Sequence, residues 1–148
     1  MNKTKLAVLA ALMLGATPAF AHNGVIHEAP HGGILKATKT AHLEILLAPK
    51  GGVRIYFMDA SGKALPATAA SDLSVEIDRP GQKTEYVTMK PDPTSTLWMG
   101  NSKPVTDPKS VVRIGSVVQG TSDLIEIPRS QFPVYGKEAP AKAKPHAH

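Results

Sequence analysis

From Gly32 onward the chain carries short runs in which apolar and polar residues alternate, separated by clusters of Gly, Pro, Asp, Asn and Ser. In Val53-Arg54-Ile55-Tyr56-Phe57 every odd position is apolar, and Leu73-Ser74-Val75-Glu76-Ile77-Asp78 alternates throughout. A period of two belongs to a strand with one buried and one wetted face. The pattern predicts strands over 33–37, 42–47, 53–59, 73–78, 84–90, 96–99, 110–118 and 123–128. Lys50-Gly51-Gly52, Asp59-Ala60-Ser61-Gly62, Arg79-Pro80-Gly81 and Gln119-Gly120-Thr121 supply compact turn chemistry between them. Helical periodicity is nearly absent. The expected fold is all-β: a single β-sandwich or small barrel of about 7–8 mostly antiparallel strands.

The two ends do not follow this pattern. Met1-Asn2-Lys3-Thr4-Lys5 is basic, the stretch that follows is apolar but too short to span a bilayer, and Ala19-Phe20-Ala21 offers small residues for cleavage. Residues 1–21 therefore read as a secretory signal peptide, with His22 as the expected new N-terminus. Residues 22–30 read as a flexible His-containing segment, 31–136 as the β-sandwich domain, and 137–148 as a disordered Lys/Ala/Pro/His tail with almost nothing to bury. No other stretch is long and apolar enough for a membrane span, so the expected location is the periplasm, without membrane insertion of the mature chain.

The chain has no Cys among its 148 residues. Disulfides, thiolate metal sites and cysteine catalysis are thereby excluded, and packing must supply the stability. The formal charge of +5 is weighted toward the leader and the tail, which leaves the expected domain near neutral. With scattered basic residues and an export signal, nucleic acid is not an expected partner. No nucleophile elbow, phosphate-cradling Gly loop, His-Glu-x-x-His motif or calcium loop is present, so no enzymatic activity is expected.

All 6 histidines fall near the two ends of the chain: His22, His27, His31, His42, His146 and His148. Neutral imidazole is the commonest metal ligand near pH 7. Pro30 and the pair Gly32-Gly33 let the chain bend so that His31 faces the next strand. A turn centred on Lys39-Thr40 would pair Ala37 with His42 and Leu35 with Glu44, placing His42 and Glu44 on one face of a hairpin. The candidate metal ligands are thus His31, His42, Glu44, His27 and His22. The competing expectation is that His42 and Glu44 are solvated strand residues and His27 and His31 ordinary loop residues.

Three further features bear on metal chemistry. The α-amine and imidazole of an N-terminal His22 would form a copper-chelating brace, the basis of a copper oxygenase if a second His completed it. Methionine thioethers would suit cuprous copper, but Trp98 and Met99, adjacent on a strand, point to opposite faces, and packing accounts for one of them. His146 and His148 form at most an accessory chelating patch.

The sequence Pro30-His31-Gly32-Gly33, followed by His42-Leu43-Glu44, by residues 53–59, and by Gly62-Lys63-Ala64-Leu65-Pro66, resembles a bacterial periplasmic pattern. That pattern is similar to small β-rich domains, free-standing or fused to the periplasmic adaptor subunits of cation-efflux systems, that are associated with copper, zinc, cobalt and other heavy metals. The resemblance covers about residues 30–66, and His31-Gly32-Gly33 is its most distinctive element. The coiled hairpin and lipoyl-like segments of a full adaptor are missing. The resemblance implies a stand-alone protein that sequesters or hands off a divalent transition metal or copper ion, with an efflux component as partner. The rival reading is a non-catalytic Ig-like interaction module with incidental histidines.

Overall fold

A computed structural model describes residues 29–133. The expected leader, the segment ending at residue 28 with His22 and His27, and the tail with His146 and His148 lie outside these residues.

Among the described residues ten strands form in chain order: β1 (Ile34–Ala37), β2 (His42–Leu47), β3 (Val53–Met58), β4 (Ala64–Leu65), β5 (Ala70–Asp78), β6 (Glu85–Val87), β7 (Lys90–Pro91), β8 (Trp98–Gly100), β9 (Val111–Val118) and β10 (Thr121–Pro128). They make two antiparallel sheets. The first runs β1-β2-β3-β8-β7, with β4 beside the far end of β3, and the second runs β10-β9-β5-β6. Expectation and structure agree on an all-β chain, and two separate sheets select the sandwich over the barrel.

The core comes from the alternation that marked the strands. Leu43, Ile45, Leu47, Val53, Ile55 and Phe57 of the first sheet meet Leu73, Val75, Ile77, Val112, Ile114 and Ile127 of the second, all buried. Burying each such side chain is worth roughly 1.5–3 kcal/mol, which a domain without disulfides needs. Trp98 turns inward against this core and its indole N–H donates to the Ala67 carbonyl at 2.8 Å. Met99 faces outward and is 41% exposed, so the two do not share a ligand.

The structure departs from the pattern in two places. β4 has only two residues, too few to alternate visibly. The run expected as one strand over 84–90 is instead β6 in the second sheet and β7 in the first, with Thr88 and Met89 between them. Tyr86, Val87, Thr88, Met89 and Lys90 keep alternating exposed and buried through the crossing, so periodicity alone does not reveal it. Gly100 makes the crossing feasible: a Cβ there would lie 2.6 Å from both Met89 Sδ and Val87 Cγ1. The β9–β10 hairpin closes through Gln119 and Gly120, both with positive φ (50° and 75°), as a two-residue type I′ turn requires.

The loop between β7 and β8 is organised by Asp92. Its carboxylate accepts from the Thr94 hydroxyl and from the backbone amides of Leu97 (3.0 Å), Thr96 (2.7 Å) and Thr94 (3.1 Å). These bonds, the Thr94 hydroxyl first, lower its pKa from 3.8 to about 2. A depressed folded-state value means that the ionised carboxylate stabilises the loop above the unfolded value, and that this contribution disappears as pH falls through the folded one. The protection of the Thr96 and Leu97 amides, relative to their intrinsic exchange rates, should therefore fall between about pH 4 and pH 2, and Asp92→Asn should abolish the step.

Candidate metal centre

On β2, Leu43, Ile45 and Leu47 point into the core, so His42, Glu44 and Leu46 occupy the outer face of the first sheet. The registers found are those the Lys39-Thr40 turn predicts, Ala37 opposite His42 and Leu35 opposite Glu44. On the other side Tyr56 pairs with Glu44 and Met58 with His42. The outer face of a two-layer sandwich ordinarily meets water, yet Glu44 is 0% exposed. It is not the solvated strand residue of the bland alternative.

Residues 29–33 cover it. The Gly32 amide donates to the Ala29 carbonyl at 3.1 Å, closing a turn with Pro30 at its second position. This turn brings the amides of His31 (2.7 Å) and Gly33 (3.0 Å) onto Glu44 Oε1, and His31 Nδ1 onto Oε2 at 2.7 Å. A fully buried carboxylate is tolerated only when paired or hydrogen-bonded, and here both oxygens are engaged.

The two glycines act differently. Gly32 supplies a φ of +80° with open space around it, whereas a Cβ on Gly33 would lie 2.5 Å from the Ile45 carbonyl oxygen and 3.0 Å from Glu44 Cγ. Gly33→Ala should therefore lift the turn off β2 and lower stability by about 1–3 kcal/mol, the scale of buried partners left unpaired. Gly32→Ala should lower it by about 1 kcal/mol, for backbone strain alone. Urea unfolding of the two variants separates these effects.

His31 is held on three sides: through its own amide, through Nδ1, and by Tyr56, on which its ring stacks with centroids 3.8 Å apart and planes 6° from parallel. Where Nδ1 of a neutral ring donates to the carboxylate, Nε2 is the nitrogen left with a lone pair. Nε2 has no partner among the described residues, and the side chain is 46% exposed. A histidine whose second nitrogen donates to a carboxylate is the usual arrangement of a metal-ligating imidazole.

The five candidate ligands thus divide. His31 and Glu44 are brought together, with Glu44 bonded to His31 and its turn rather than facing outward as a ligand itself. His42 lies two residues along the same face, half-buried. His27 and His22 fall outside the described residues. No three His, Asp or Glu side chains among the described residues gather as a ready cage. Sequence reading overlooked Tyr56. Counting across the Lys50-Gly51-Gly52 turn would have placed it opposite Glu44, but its stacking depends on the turn at 29–33 folding back.

Fold and site together define an all-β sandwich carrying a carboxylate-oriented histidine on its outer face. Comparison with protein-family models, with curated proteins and with solved structures finds no match to this chain.

Proposed function

We propose that this chain is a periplasmic heavy-metal-binding protein, of the copper, zinc or cobalt class, that sequesters the ion or hands it on beside a cation-efflux system. The observation that carries the reading is the buried Glu44 carboxylate fixing His31 through Nδ1 while the side chain stays 46% exposed. His31 is assigned as the primary ligand and Glu44 as the group that orients it. His42, His27 and His22 are the candidates for the remaining positions. The basic and apolar leader ending in Ala19-Phe20-Ala21 supports export, and no helix among the described residues is long and apolar enough to cross a membrane.

The exposed apolar side chains give a protein-interaction module less support. Tyr86 on β6 and Leu124 on β10 are 74% and 75% exposed, but β9 and β5 lie between their strands. Tyr86 and the outward Met99 border one open groove, but two such side chains among polar neighbours are ordinary on a protein surface.

Calorimetric titration of the untagged chain beginning at His22 with Cu(II), Zn(II), Co(II) and Ni(II) tests the proposal. Micromolar or tighter binding that His31→Ala weakens at least tenfold, about 1.4 kcal/mol, is the expected result. Equal, weak binding by both forms would overturn it.

A further inference from the structure

Both sheets end in edge strands, and most of these are short or blocked. β1 has four residues, β6 three, and β4 and β7 two each, Pro91 among them. Such edges resist pairing with another chain. β10 differs, because it runs for 8 residues and no strand among the described residues pairs with its outer side.

The hairpin register fixes which backbone groups of β10 face outward. Val118 and Thr121 close the two-residue turn as a hydrogen-bonded pair. The odd-numbered residues of β10 therefore bond to β9, while Ser122, Leu124 and Glu126 turn their N–H and C=O groups to the open edge. Two contacts agree. The Arg129 amide continues the odd series by donating to the Ser110 carbonyl at 2.8 Å. The carbonyls of Val117 and Gly115, opposite Ser122 and Leu124, point toward β5, where the Ser71 and Ser74 hydroxyls reach them at 3.4 and 3.5 Å. Pro128, which has no N–H, takes the next outward position and ends the strand.

We infer that β10 pairs antiparallel with β10 of a second copy of this chain, about a two-fold axis at Leu124, joining two four-stranded sheets into one. Leu124 is 75% exposed because its neighbour on β9 is Gly115, which has no side chain, and its other side is the open edge. In this register it lies against Leu124 of the partner subunit. Ser122 lies against Glu126 of the partner subunit, a residue whose carboxylate already accepts from Arg113 Nε at 2.9 Å. Each rung of outward residues exchanges two bonds, about six in all. An axis at Asp123 would set two like charges opposite each other, and an axis at Ile125 would put Leu124 against a glutamate. One strand pair buries less than the roughly 1,200 Å² of a standard interface, so the association is weak and reversible, and the chain is a monomer at the dilution of an unfolding experiment. The docking element is a backbone edge rather than an apolar patch. It belongs to the sheet that does not carry Glu44, which makes it independent of the metal-binding reading.

Sedimentation equilibrium of the untagged chain, with a metal chelator present and from about 10 μM to about 1 mM, tests it. The expected result is a mass that rises from one chain toward two, with the apparent Kd raised at least tenfold by Leu124→Lys and by Leu124→Glu, each of which sets like charges across the axis. An equimolar mixture of the two variants should associate again. Position 124 is exposed, and thermal midpoints verify that both variants fold. Amide exchange at Ser122, Leu124 and Glu126 should slow as concentration rises, while that of Asp123 and Ile125, bonded to β9, should not change. A monomer throughout, or association that both variants leave intact, overturns the dimer. A mixture that stays monomeric overturns the register at Leu124. Protection of the three outward amides at every concentration also overturns the dimer, because it places another segment of this chain on the edge.

Discussion

Glu44→Gln should lower transition-metal affinity by about 10–100-fold, the usual effect of removing a carboxylate that orients a ligating histidine. The amide keeps the size of the carboxylate and retains one oxygen for the His31 and Gly33 amides, which now reach Oε1 at 2.7 and 3.0 Å. Its NH2 then faces His31 Nδ1 and donates to it. The ring must adopt the other tautomer, with the proton on Nε2, and the lone pair offered to an ion is lost. Glu44→Ala differs in kind, because it leaves three N–H donors without their acceptor and empties space beneath the turn. A stability loss of about 2–4 kcal/mol is expected there. Calorimetry gives the affinity, urea unfolding gives the stability, and the ring nitrogen chemical shifts report the tautomer. Native affinity in a folded Glu44→Gln variant would show that Glu44 does not govern the ligand.

Phe57→Ala should destabilise the fold by about 3–5 kcal/mol with an unchanged urea m-value. Phe57 is 1% exposed and paired on both sides, with Leu43 of β2 and Leu65 of β4. It sits in the strand that also carries Tyr56 and Met58, so collapse around the cavity would pull on the outer face. Domains of this size have only about 5–15 kcal/mol of stability in total, and this chain has no disulfide to limit its unfolded state. Leu124→Ala, at a position 75% exposed, is the matched control and should change stability by less than about 0.5 kcal/mol. A Phe57→Ala loss as small as the control's would mean that the first sheet can close around the missing ring.

The sequence by itself determined the class of fold, because a period of two marks strands with one face to bury and, with helical periodicity nearly absent, only another sheet is left to cover that face. It also determined the β1–β2 register, since the Lys39-Thr40 turn sets which residues face each other, and with it the common face of His42 and Glu44. It carried the reason for His31-Gly32-Gly33 only in part. That a bend occurs there follows from Pro30 and two glycines, but which glycine is irreplaceable depends on the Ile45 carbonyl, a neighbour from another strand. Tertiary structure alone decided that Glu44 is buried, that Tyr56 lies under His31, and that residues 85–91 change sheets. The physical reason is common to all three. Alternation tells which face of a strand a side chain occupies, but not what folds over that face, and a turn closing 13 residues away from Glu44 leaves no periodic trace.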